Sequence, residues 1–148
     1  MFASETSLKM QIAISGRQRD LALYRSARLR GRRGRLLAAL THRSRALLPL
    51  PSQAADGHFA GQQVVSIDQI RGSEGRTQDF DRDFNPLRDV TQGRWLSVLR
   101  ALRQGQSLPP VELVKVGPLY YVRDGHHRIS VARAMGQEYV EATVQQVR

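Results

Sequence analysis

The stretch Tyr120-Tyr-Val-Arg-Asp-Gly-His-His-Arg-Ile-Ser-Val-Ala-Arg-Ala-Met-Gly136 constrains the chain more than any other. It predicts a strand, a one-glycine turn and a helix that opens on two histidines and an arginine. A strand that feeds a helix through glycine leaves the first-turn amides without intrahelical partners, with the positive end of the helix dipole behind them. Such a corner is suited to an anion. His126, His127 and Arg128 add side-chain donors where a phosphate would sit. The same turn also has a purely structural reading, in which Gly125 supplies a positive φ whether or not anything binds.

The flanking sequence predicts a small α+β domain. Gln63–Ile67 reads as a strand ending at Arg71-Gly72. Asp79–Asp89, with four aspartates, Phe80, Phe84 and Pro86, reads as an irregular loop with aromatic anchors. Thr91 is placed to cap a helix whose apolar face is Trp95, Val98, Leu99 and Leu102, ended by Gly105. Pro109-Pro110 leads into a strand over Val111–Val116, Gly117-Pro118 turns it into a hairpin with Leu119–Val122, and the corner and its helix follow. Tyr139–Val147 alternates as a closing strand. In that order of β, α, β, β, α, β, Trp95, Val98, Leu99, Leu102, Ile129 and Ala132 face the core.

Charge separates the N-terminal third from the rest. Residues 1–50 carry eleven Lys/Arg against two acids, a net +9, whereas residues 51–148 carry twelve against eleven, a net +1. The expected organisation is a basic helical arm over 1–50, a linker over 51–62 and the α+β domain over 63–148. Gly31 and Gly34 interrupt the leucine spacing, which predicts two short helices in the arm. Leu48-Pro-Leu-Pro51 ends the helical pattern, because proline lacks an amide donor and restricts the residue before it. Arg28, Arg30, Arg32, Arg33 and Arg35 are the candidates for contact with DNA or another polyanion, since clustered arginine releases counterions from nucleic acid. The alternative is an amphipathic segment packed on its own domain or on a twin, which leaves a homo-oligomer open. With no cysteine, a disulfide framework, a thiolate metal site and a thiol nucleophile are all excluded. The expected location is the cytoplasm, with no membrane partner, because no apolar run approaches the roughly 20 residues of a membrane span.

Leu108-Pro-Pro-Val-Glu-Leu-Val-Lys-Val116, the hairpin, Asp124-Gly-His-His-Arg128, the Ala-rich helix and the closing strand resemble the ParB/sulfiredoxin superfamily, often called the ParB-like nuclease domain. The resemblance covers about residues 63–147 and is strongest over 108–147. In sulfiredoxins the turn reads Gly-Cys-His-Arg, and its histidine and arginine hold nucleotide phosphate. Gly125, His127 and Arg128 fall on those positions, and His126 stands where the catalytic cysteine would be, so the resemblance does not extend to sulfinic-acid repair. In ParB-type segregation proteins the turn is Gly-Glu-Arg-Arg, which embraces the phosphates of CTP, and Gly125 and Arg128 match it. A full partition protein is not expected, because the chain ends at Arg148 without the helix-turn-helix and dimerisation modules. Other relatives are small nucleotide-dependent kinases of free serine or have been described as nucleases.

The expected function is a phosphate- or nucleotide-binding ParB-like module, associated with DNA through its basic arm. Gly125, His126, His127 and Arg128 are the phosphate-binding residues, and CTP, ATP and ADP are the candidate nucleotides. The alternative is a small nucleotide-dependent phosphotransferase or hydrolase, with Asp124, His126 or Glu112 as the acid or base. A dedicated transition-metal site lacks ligands, since the other histidines, His42 and His58, lie outside the domain core. Mg²⁺ carried by a nucleotide needs one or two carboxylates, for which Asp124 is the first candidate and Asp79, Asp81, Asp83 and Asp89 the others. Asp124 is also placed to cap the helix, and Arg128 to pair with Asp124, Asp81 or Asp83.

Overall fold

The computed structural model describes residues 4–52, 57–75 and 78–147. A long helix, α1 (Glu5–Thr41), precedes a short strand, β1 (Leu48–Pro49), then β2 (His58–Ser66) and β3 (Ile70–Ser73). After the aspartate-rich loop come α2 (Gln92–Arg103), β4 (Val111–Val116), β5 (Leu119–Asp124), α3 (His126–Ala134) and β6 (Tyr139–Val147). The six strands form one mixed sheet in the order β1-β3-β5-β4-β6-β2. The β4–β5 hairpin and the β2–β6 pair are antiparallel, while β4 runs parallel to β6 and β3 parallel to β5. This is the expected α+β class with a basic helical N-terminal segment.

Period-two alternation explains how the sheet serves two apolar clusters. Leu113, Tyr120 and Val122 face the main core under α2 and α3. Their neighbours Val114 and Tyr121 point to the opposite face, where they pack with Val147. A Cβ on Gly72 would overlap the Tyr121 ring, so glycine in β3 is what lets that ring lie across the sheet. In the main core Trp95, Leu99, Ile129 and Ala132 are buried as expected, and Val98 and Leu102 pack at its edge half-buried.

Several local expectations need correcting. The arm is one helix of 37 residues rather than two short ones. Gly31 and Gly34 do not break it. They are buried on its inner face, and a Cβ at Gly31 would stand 2.8 Å from the Pro86 carbonyl oxygen. Close approach to the loop, not chain reversal, is what these glycines provide. The helix also enters the main core directly: Tyr24 and Ala27 are buried, and Tyr24 meets Trp95 edge-on with ring centroids 5.3 Å apart. His58–Gln62, expected in the linker, already belong to β2, and Leu48–Pro49 pair with β3. Residues 53–56 of the expected linker lie outside the described residues. Gln63–Ser66 lie in β2 as expected, but the strand does not run on to Arg71-Gly72: a 3-10 turn at Ile67–Gln69 parts it from β3. Thr91 precedes α2 without a side-chain cap bond; its hydroxyl donates instead to the Arg88 carbonyl at 2.7 Å and meets the Tyr24 hydroxyl at 2.9 Å.

The loop before α2 is held by its own acids. Asp81 Oδ1 accepts from the amides of Asp83 and Asn85, closing a turn in which Phe84 takes a left-handed φ of 58°. That conformation is unfavourable for a bulky residue. Burial of the Phe84 ring and a 2.5 Å hydrogen bond from Ser130 Oγ to the Phe84 carbonyl hold it in place. Ser130 Oγ in turn accepts from Trp95 Nε1 at 2.8 Å, so loop, α2 and α3 share one buried polar chain.

Candidate anion-binding cleft

The corner folds as the local sequence requires. Gly125 has φ 113° and is the residue before α3. A Cβ there would stand 2.6 and 2.9 Å from Val111 side-chain carbons, so positive φ and close packing both demand glycine. With glycine at the N-cap no side chain caps α3, and the amides of its first turn point out of the helix end.

This end opens into a cleft of about 420 Å³. His126, His127, Arg128, Asp124 and Gly125 form one side, Arg94 and Val98 of α2 the other, with Asp79 and Phe80 from the loop and Leu108-Pro109 completing it. His126 and His127 point to different places, as adjacent helical residues must. His126 Nε2 lies 2.7 Å from Ser73 Oγ on β3, and its ring stacks near Phe80 with centroids 6.2 Å apart. His127 meets the Phe80 ring edge-on at 5.1 Å. Burial lowers the pKa of both imidazoles from the ordinary 6.5. For His126 the charges of Asp124 and Asp79 oppose that shift; for His127 the charges of Arg94 and His126 reinforce it and Asp79 opposes it. Both rings are therefore neutral at pH 7, and the fixed positive charge of the cleft comes from arginine.

Arg128 is braced. Its Nη2 donates to Asp124 Oδ2 at 2.9 Å, and its Nη1 donates to the carbonyls of Pro109 and, at 3.3 Å, Pro110. A cation in the first turn opposes the helix dipole, and Asp124 compensates it. Of the alternatives open for Arg128, the partner is thus Asp124, with the prolines added. Arg94 is different: it is exposed in the first turn of α2, and among the described residues it has no hydrogen-bond or ion-pair partner.

The structure sorts the remaining candidates. Asp79 lines the cleft and pairs with Arg88 at 3.2 Å. Asp81 braces its turn, Asp83 is shared by Arg45 and Arg71, and Asp89 pairs with Arg28 at 2.9 Å, all away from the cleft. Glu112 stands on the opposite sheet face from Val111, where its charge, after that of Glu74, favours the charged form of Arg123. It does not line the cleft. In the arm, Arg28 is committed to Asp89 and Arg30 contacts Asn85 Oδ1 at 3.4 Å, whereas Arg32, Arg33 and Arg35 are exposed and have no acid partner among the described residues. Arg94 and Ser73 are the residues that the sequence reading missed. For Arg94 a signal existed: like Arg128, it is a cation in a helix's first turn, where it opposes the dipole. Ser73 carried none, because only the β3–β5 pairing brings it to His126.

No group of three or more His, Cys, Asp or Glu residues placed to hold a metal ion occurs among the described residues. Asp79 and Asp124 line the same cleft. No helix of the described residues is long and apolar enough to cross a membrane.

No protein-family model matches the chain, and no curated protein matches it. Among solved structures, the sulfiredoxin of Arabidopsis thaliana is similar over 58% of this chain and 85% of its own, at 15% identity and a TM-score of 0.41. A likeness of that degree assigns neither ligand nor activity.

Proposed function

We propose that the protein is a ParB/sulfiredoxin-like module that binds a phosphate group, as part of a nucleotide, in the cleft at the N-terminus of α3. The carrying observation is convergence: an uncapped helix start, an unpartnered Arg94 and the neutral His127 face one another across a single cleft. The helix end contributes only about 0.3–1 kcal/mol at an exposed site, so it cannot hold a ligand alone. Charge-assisted hydrogen bonds, about 1.5–3 kcal/mol each, supply the rest, and Arg94 is the cation whose donors are not already used. Arg128 shapes the wall and offers its remaining N–H groups. Mg²⁺, when a nucleotide carries it, would be met by Asp79 and Asp124. Val98, Leu108, Pro109 and Phe80 form an apolar wall suited to a base or sugar rather than to a bare ion.

Calorimetric titration of CTP, ATP and ADP, with and without Mg²⁺, tests this reading. Wild type should bind at least one of them, and Arg94→Ala should weaken binding more than tenfold, since about 1.4 kcal/mol is a factor of ten. Arg128→Ala should weaken binding and also lower stability, because it releases Asp124 and the Pro109–Pro110 carbonyls together. Absence of heat with every phosphate ligand would make the corner purely structural.

The histidines set a pH dependence with a definite sign. Their folded pKa values lie below 6.5, so between that value and the folded pKa the unfolded chain binds more protons. Stability is therefore full above about pH 6.5 and falls as the pH drops below it. Urea unfolding at pH 7.5 and 5.5 should show the loss, and His126→Gln/His127→Gln should flatten it. An anion in the cleft favours the imidazolium, so sulfate, whose charge is constant over this range, should bind more tightly at pH 5.5 than at 7.5.

A further inference from the structure

A second basic concavity lies on the far side of α3, against α1. It is a groove of about 520 Å³, lined by Arg30 and Arg33 of α1, Arg45, Asp83 and Arg133 of α3, with Phe84 among its apolar walls. Its charges do not balance. Asp83 is shared between Arg45 Nη2 at 2.8 Å, Arg71 Nη1 at 3.0 Å and Arg133 Nη2 at 3.6 Å, and Arg133 also touches the exposed Asp68 at 3.1 Å. Four arginines thus line the groove against one carboxylate, Asp83, which Arg71 shares from outside the lining. Arg30 has only a neutral amide oxygen as acceptor, and Arg33 has none among the described residues. Arg133 Nη1 is buried and without an acceptor. A buried, unpaired guanidinium donor is costly, and the crowding of like charges along the groove adds a cost that an anion would offset.

We infer that this groove is a second anion site, and that it takes a ligand bearing two or more adjacent phosphates. A single oxyanion would satisfy one side of the groove. Arginines from α1, from the segment after it and from α3 require acceptors spaced along the ligand, which linked phosphates provide. Gly34 belongs to the same construction: a Cβ there would press on the Arg45 guanidinium at 3.2 Å, so glycine leaves Arg45 room to turn between Asp83 and the groove. Occupancy would tie α1 to α3 across the groove. The inference is independent of the cleft at Gly125, which lies at the other end of α3 and uses none of these arginines.

Inorganic pyrophosphate is the probe, titrated calorimetrically into the full chain. Arg30 and Arg33 are exposed helix residues, so Arg30→Gln/Arg33→Gln keeps the fold while removing two of the cations. Arg32→Gln/Arg35→Gln removes the same charge from other faces of α1. The first pair should weaken one pyrophosphate site by at least about tenfold, and the second should change it less than about threefold. Arg94→Ala should leave this site intact, so that failure of the groove and failure of the cleft are distinguished. Equal loss in both arginine pairs would reduce the effect to diffuse charge and overturn the inference, as would unchanged binding in the first pair. A short single-stranded oligonucleotide forms the last arm: sensitivity to the first pair with the oligonucleotide but not with pyrophosphate would assign the groove to a nucleic-acid backbone and overturn the compact ligand.

Discussion

Trp95→Ala should lower the unfolding free energy by about 3–5 kcal/mol, the usual result of truncating a fully buried aromatic residue. Its side chain has no solvent exposure and joins three parts of the molecule at once. The ring packs edge-on against Tyr24 of α1, and its Nε1 donates to Ser130 of α3, whose hydroxyl holds the strained Phe84 turn. Loss of the ring therefore removes apolar burial and the donor that orders Ser130 in one step. Trp95→Phe separates the two contributions. It keeps most of the packing and leaves Ser130 without its donor, for a smaller loss of about 1–3 kcal/mol. Chemical denaturation of the two variants measures both, and a loss below 1 kcal/mol for Trp95→Ala would show that the core closes without it.

Gly125→Ala should be nearly as damaging, and it should act on stability and ligand together. Alanine at φ 113° is strained by about 1–3 kcal/mol. Its Cβ would also displace the Val111 side chain, an overpacking effect of about 1–3 kcal/mol. The turn can relieve neither without moving the first amides of α3 and the Arg128–Pro109 brace beside them. A loss of about 2–4 kcal/mol in unfolding, with phosphate binding abolished, is the expected result. Arg94→Ala is the counterpart: an exposed side chain without partners should lose ligand and keep stability. The two variants together separate the turn's structural work from the cleft's recognition.

These contrasts reflect how far each property reaches along the chain. Gly125 and the helix after it were legible in the sequence because a turn and a helix start are decided within a few residues. The β4–β5 hairpin and the apolar face of α2 were legible for the same reason, since periodicity and turn residues are local signals. Gly31 and Gly34 were read in the wrong sense. A glycine in a helical pattern marks either a break or a close approach, and only the position of Pro86 and Arg45 in space distinguishes them. The 3-10 turn that parts β2 from β3 contains no glycine or proline to mark it, and its buried Ile67 continues the apolar pattern of the strand before it.

What the sequence determined by itself was the set of local elements, the strand-glycine-helix corner and the concentration of arginine in the first third of the chain. Tertiary structure decided which groups meet. It brought Arg94 across from α2 to the corner, placed Ser73 beside His126, and committed Arg128 to Asp124 and two proline carbonyls. It also drew Tyr24 and Ala27 of the basic helix into the core and set Arg133 against the arginines of α1. Backbone preferences act over one turn of chain, whereas side-chain partners here are as far apart in sequence as Asp20 and Arg103, which form an ion pair at 2.7 Å. Such partners are chosen by the packing of the sheet and helices as a whole, and no short window of sequence contains that choice.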